Sequence, residues 1–200
     1  MKKYPNLSWT WKNDVPSVTG TYSFKAERNG IVLENSFKIL ISFPPDYPNS
    51  LAHAFELGGK IERSYHHFLS DGSLCLGTEI DLYKIFSENP CLDTFMTEIL
   101  NPYLYRWLYI KNFGKEPWVD RSHGNMGIIE SYAEALDIPP DNNTVKSFLV
   151  LLVENNTRAN SLCPCNSGEK VKCCHRKKLD KLSTKIPAQI FFRDLFNLRG

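Results

Sequence analysis

This chain lacks any marked excess of positive or negative charge. Across 200 residues, 24 Lys and Arg stand against 22 Asp and Glu, so no global field steers it toward nucleic acid or a lipid surface. Long apolar runs are missing too. The longest, Phe148–Val153, is far short of the ~20 residues a membrane-spanning helix needs. Met1-Lys-Lys-Tyr-Pro leads into polar sequence, so no secretory signal is expected and the expected location is the cytoplasm. No G-x-x-x-x-G-K-[ST] segment is present, which removes the common phosphate-cradling loop. No internal repeat is visible. What remains is globular composition, 42% apolar and 23% charged, which rules out a disordered, collagenous or coiled-coil chain. The length suits one ordinary domain plus a small accessory module.

Periodicity along the chain separates strands from helices. The first twenty residues, with Trp9 and Trp11, read as an edge strand or loop. From Thr21 the pattern alternates: Tyr22, Phe24 and Ala26 share one face, and Phe37, Ile39, Ile41 and Phe43 share another. Asn29-Gly30 between them predicts a hairpin turn. Pro44-Pro-Asp-Tyr-Pro48 stops the sheet, because proline cannot donate to a ladder. Ala54–Leu57 predicts a further strand, and Tyr65–Asp81, without a period, an ordered loop. After Cys91 an apolar stripe at Leu92, Phe95, Met96, Ile99 and Leu100 continues through Tyr103, Leu104, Trp107 and Leu108, predicting a helix. Pro102 should kink or split it. A second helix is expected over Asn125–Leu136, with Ile128, Ile129, Tyr132 and Leu136 inward. Asp137–Asn143 is the best linker candidate, followed by a short helix near Lys146–Val153 and a last one opened by Pro187. The expected class is α+β, an antiparallel sheet packed on helices with a small C-terminal zinc knuckle and helix. The expected division is 1–137, a linker and short helix over 138–160, and the knuckle with its helix over 161–200.

The six cysteines are unevenly placed. Cys163-Pro-Cys165 and Cys173-Cys174-His175 crowd together, unlike the spread spacing of a disulfide framework. Four soft ligands on a short turn suit a tetrahedral zinc ion, and Gly168 frees the backbone to turn. The string resembles the SEC-C motif found at the end of the SecA preprotein translocase. The resemblance puts the ligands at Cys163, Cys165, Cys174 and His175 and leaves Cys173 spare. Eight Lys/Arg against two Asp/Glu between Arg158 and Lys185 form a local basic patch. No aromatic residue interleaves them, which argues against base stacking and makes nucleic acid an unfavoured partner.

Cys75 sits in His66-His67-Phe-Leu-Ser-Asp71-Gly-Ser-Leu-Cys75-Leu-Gly77. A reactive thiol needs access and a group that stabilises thiolate or developing negative charge, and histidines with turn amides can supply it. A half-buried structural thiol between Leu74 and Leu76 is the alternative. The order of strand, Phe43-Pro-Pro-Asp-Tyr-Pro48, strand, histidine loop, Asp71-Gly-Ser-Leu-Cys75-Leu76 and helices resembles the ubiquitin-conjugating enzyme fold over residues 15–136. That resemblance makes Cys75 a thioester cysteine, which accepts the C-terminal glycine of a ubiquitin-like modifier from a separate activating enzyme and passes it to an amine on a protein acceptor. The family's oxyanion-stabilising asparagine falls on His67, in Tyr65-His66-His67, where neither proline nor asparagine stands. An imidazole can donate one hydrogen bond to an oxyanion, and either His66 or His67 could do so. Leu51-Ala52 replaces a family proline pair, and Tyr83 replaces a tryptophan.

Arg121-Ser-His-Gly124 with Gly127-Ile-Ile-Glu-Ser-Tyr132 is similar to bacterial members linked to anti-phage CBASS operons. There the carried terminus belongs to a cGAS/DncV-like nucleotidyltransferase. His123 reads as a helix cap or surface residue, Cys91 as structural, and His53 has no supporting pattern. Asn197-Leu-Arg-Gly200 is similar to a ubiquitin-like tail, which would make Gly200 itself a conjugation substrate. A non-catalytic binding module of the same fold is the alternative to the enzyme.

Overall fold

The computed structural model describes residues 3–154 and 159–199. The chain forms two compact units, one of Met1–Leu76 with Asn89–Val119 and one of Gly77–Glu88 with Asp120–Gly200. The class is α+β, and among the described residues no helix is long and apolar enough to cross a membrane.

The first unit carries a four-stranded antiparallel sheet in the order β1 (Leu7–Lys12), β2 (Val15–Arg28), β3 (Ile31–Ser42), β4 (His53–Glu56). Two tight turns create the hairpins. Asn13 and Asp14 take φ of 50° and 60°, and Asn29-Gly30 takes 50° and 76°, the left-handed pairs whose twist suits two-residue loops. Residues 1–20 therefore hold an edge strand, and β2 begins before the alternation becomes visible. Gly20 makes the β1–β2 approach possible, because a Cβ there would lie 2.1 Å from the Asn6 carbonyl oxygen.

Tyr22 pairs with Phe37 and Val18 with Ile41, so these side chains share the inner face, as the alternation predicts. Against it packs a helical rod made of α2 (Leu92–Thr94), a π-turn (Phe95–Leu100) and α3 (Asn101–Phe113). Phe37 meets Phe24 and Trp107 edge-on at centroid distances of 6.1 and 5.7 Å. Pro102, expected to kink or split the helix, does not split it: Thr94, Leu100 and Asn101 all keep right-handed helical angles. The wider π-turn resolves the conflict. Asn101 N–H bonds Met96 C=O, five residues back, which shifts the ladder just before the proline that cannot donate.

The second unit is helical: α1 (Glu79–Phe86), α4 (Gly124–Leu136), α5 (Asn142–Val153), α6 (Arg176–Lys185) and α7 (Ala188–Arg199). The loop expected through Asp81 ends earlier, because Thr78 stands at the N-cap of α1 and Ile80, Tyr83 and Phe86 bury one face. Asp81 joins α1 to α4, accepting from Ser131 Oγ at 2.8 Å and Thr78 Oγ1 at 2.9 Å and pairing with Arg121 at 2.9 Å. In α4, Ile129, Tyr132 and Leu136 are buried as predicted, whereas Ile128 is only half-buried. The linker candidate is cut short by Asp141, whose carboxylate accepts from Thr144 N–H at 2.7 Å and starts α5 at Asn142.

Candidate functional site

The knuckle is assembled by its own backbone. Leu162 bridges Lys170, and Cys163 N–H bonds Glu169 C=O at 2.8 Å. Asn166 and Gly168 take φ of 60° and 79°, turning the chain between the two cysteine pairs. A short 3-10 turn (Val171–Cys173) then delivers Cys174 and His175 to the start of α6. One ligand atom from each of Cys163, Cys165, Cys174 and His175 falls within 4.8 Å of every other. His175 Nδ1 lies 3.2 Å from Cys163 Sγ and 3.1 Å from Cys174 Sγ, and Cys165 Sγ lies 3.5 Å from Cys174 Sγ. A tetrahedron around a zinc–sulfur distance of about 2.3 Å has edges of about 3.8 Å, close to this spacing. The four residues therefore form a candidate metal-binding site. Cys173 is exposed and outside it.

The surroundings favour a bound cation. Burial pushes the Cys163 thiol up to about 12, so it ionises at neutral pH only beside a compensating positive charge. Cys165 is only half-buried, and hydrogen bonds from Ser167 outweigh that burial and bring it down to about 7. Burial, then the Lys178 ammonium, depress the His175 imidazole, keeping it neutral as a metal ligand must be. Its other nitrogen, Nε2, donates to the Leu136 carbonyl at 3.1 Å, leaving Nδ1 free to face the sulfurs. Phe148 packs on the same ring at 4.9 Å. This outer bond fixes tautomer and orientation, the usual support of a metal-bound imidazole.

In the first unit, Cys75 and His67 face each other across a miniature hairpin. Phe68 bridges Leu74, Leu69 N–H bonds Ser73 C=O at 2.8 Å, and Cys75 N–H bonds His67 C=O at 2.9 Å. Asp71 ties the turn, accepting from Ser73 N–H at 2.9 Å and Ser73 Oγ at 2.6 Å. These bonds hold its carboxyl below the usual range. Gly72, at φ 84°, closes the turn beneath the Arg63 guanidinium. Leu74 N–H bonds Ala54 C=O at 2.8 Å, fastening the hairpin to β4. Cys75 is half-buried, His67 is buried and His66 is exposed.

Residues on and after α3 complete this neighbourhood: Tyr103 belongs to the apolar stripe, whereas Arg106 and Glu116 do not. Tyr103 Oη donates to the His67 carbonyl at 3.0 Å. Burial, with Tyr65 and Cys75 nearby, raises its pKa far above the ordinary value, so it stays a donor. Arg106 is buried, donates bidentately to Glu116 at 2.8 and 2.9 Å, and reaches His67 Nε2 at 2.8 Å. A guanidinium only donates, so in this pose Nε2 is the acceptor. The sequence signal was a charged residue one place before Trp107 in an otherwise inward-facing run.

Cys91 stands at the N-cap of α2, its sulfur 3.4 Å from Thr94 Oγ1. His123 stands at the N-cap of α4 without a side-chain cap bond. His53 lies 3.7 Å from Asp71. A cavity of about 350 Å³ lies by the β2–β3 turn, lined by Arg28, Tyr105, Tyr109 and Trp118 among others, and contains neither Cys75 nor the knuckle. Gly200 lies outside the described residues.

No protein-family model matches the chain, and comparison with curated proteins and with solved structures finds no match to either.

Proposed function

We propose that this protein is a ubiquitin-conjugating-like acyl carrier that holds a C-terminal glycine as a thioester on Cys75. The observation that carries the reading is the hairpin that sets a half-buried cysteine amide on the carbonyl of a buried histidine, within a D-G-S-L-C-L turn. Cys75 thiolate attacks the acyl carbonyl of an activated glycine on a separate activating enzyme, forming the S–C bond as the activating enzyme's own thiolate leaves. An acceptor amine then attacks the Cys75 thioester; the amide forms, Cys75 thiolate departs and the amine loses a proton. Tetrahedral oxyanion charge in both steps calls for a donor beside Cys75, the role that the resemblance gives to His67. The carried terminus is that of a ubiquitin-like modifier or of a cGAS/DncV-like nucleotidyltransferase, and the setting is cytoplasmic anti-phage defence. Both rest on the resemblance of residues 15–136 and 121–132.

In this reading Cys163, Cys165, Cys174 and His175 hold a structural zinc ion, which would staple the knuckle to the end of α4. Neither a membrane nor nucleic acid is part of it. The pose of His67 favours a second reading, a non-catalytic binding module of the same fold, because Nε2 is occupied by Arg106 rather than open to an oxyanion.

The test is intact mass spectrometry after co-expression with candidate activating enzyme and modifier. A reductant-labile adduct on the wild type, absent from Cys75→Ala and reductant-stable on Cys75→Ser, is expected. An unmodified wild-type chain with every partner present overturns the carrier in favour of the binding module.

A further inference from the structure

The sheet ends on one side in an edge that is complementary to itself. The β4 side is partly closed, since Leu74 N–H bonds Ala54 C=O. On the β1 side the hydrogen-bond alternation can be followed residue by residue. Thr21 N–H bonds Asn6 C=O at 3.1 Å, and Lys12 and Val15 flank the two-residue turn. Ser8, Thr10 and Lys12 therefore bond inward to Thr19, Ser17 and Val15. Trp9 and Trp11 lie opposite Val18 and Pro16 in the alternate pairs, and Pro16 has no N–H, its carbonyl being taken by Phe43 N–H at 2.9 Å. The backbone groups of Trp9 and Trp11 consequently point out of the sheet. No hydrogen bond to them is found among the described residues.

Both indoles stand on the inner-face side of this edge, yet they are 60% and 73% exposed. Nothing on β1 blunts the edge before Lys12: it carries no proline, bulge or inward-pointing charge, the devices that keep edges from pairing. We propose that β1 is a homodimer interface, pairing antiparallel with β1 of a second copy about a two-fold axis at Thr10. With that register Trp9 faces Trp11 of the other copy twice over, each in a hydrogen-bonding pair, and Ser8 faces Lys12. Cross-strand aromatic pairs are the stabilising units of such a ladder. A two-fold antiparallel pairing is isologous and closes without further growth. The occupant is a second copy because this strand supplies both halves of each aromatic pair.

Thr10 falls in the close, non-hydrogen-bonded pair on the axis, with Cα atoms about 4.5 Å apart, within the span a disulfide accepts. Thr10→Cys should form an intermolecular disulfide under mild oxidation, located by peptide mapping, while Ser8→Cys should not. By light scattering the wild type should weigh twice the 23.0 kDa chain. Trp9→Lys with Trp11→Lys should return it to one, because the axis sets the two lysines opposite each other. Both positions are mostly exposed, so this variant should keep the wild-type circular dichroism. A monomeric wild type overturns the proposal, and so does a dimer that survives the double lysine variant or cross-links equally well at Ser8. A monomer whose β1 captures an added extended peptide also overturns it.

Discussion

Asp194 and Arg106 show two ways of treating a buried charge. Arg106 is compensated, with a bidentate carboxylate on one side and an imidazole nitrogen on the other. Asp194 is buried against a single hydroxyl, Tyr132 Oη at 2.9 Å. Burial raises its pKa, and neither the Tyr132 bond nor Arg193 offsets that. The sign follows from linkage: the unfolded chain loses this proton near 3.8, the folded chain at higher pH. Stability from the group is complete below the unfolded value and falls as pH rises through the folded one. Asp194→Asn keeps an acceptor for Tyr132 and removes the charge. The variant should be more stable at pH 7, by about 1 kcal/mol, and should flatten this part of the acid-range profile. Urea midpoints of both proteins between pH 4 and 7 measure it, with a less stable variant at pH 7 as the contrary result.

At the scale of elements, α4 depends on a residue whose role no periodicity reveals. A Cβ at Gly127 would lie 2.0 Å from the Ser122 carbonyl oxygen. The strand of chain before the helix is folded onto its first turns, with Ser122 N–H and Oγ donating to Glu130 at 2.9 and 2.6 Å. Gly127→Ala must push that backbone away and should cost more than about 2 kcal/mol in urea unfolding, whereas Met126→Ala, at an exposed site, should change little. The same divide governs what could be read beforehand. The β2–β3 hairpin, the stripe from Leu92 to Leu108 and the cysteine cluster are patterns in residue type, which periodicity detects. Gly127, the π-turn before Pro102, the eight residues of α1 and the Arg106–His67 contact depend on what chain lies opposite. Only Pro102 hinted at its own resolution, by forbidding one hydrogen bond.

For the whole molecule, a metal ion held by Cys163, Cys165, Cys174 and His175 would be coupled to the helical unit. His175 hangs from the last carbonyl of α4 and packs on Phe148 of α5, and Lys178 on α6 reaches the same carbonyl at 2.7 Å. Metal that ordered these few residues would thereby act on the end of α4, the middle of α5 and the start of α6. Zinc in such sites contributes about 10–16 kcal/mol, comparable to the whole stability of a domain, about 5–15 kcal/mol. Elemental analysis should find one zinc per chain. Chelation should lower the thermal midpoint and reduce helical ellipticity, and zinc should restore both. The paired cysteines make the assignment sharp, since Cys173 and Cys174 are neighbours with opposite expectations. Cys174→Ser should lose the metal and reproduce the chelated state, while Cys173→Ser, exposed and outside the tetrahedron, should keep it. The reverse pattern would move the fourth sulfur to Cys173, and full helicity after complete chelation would reduce the knuckle to an appendage that the helices do not need.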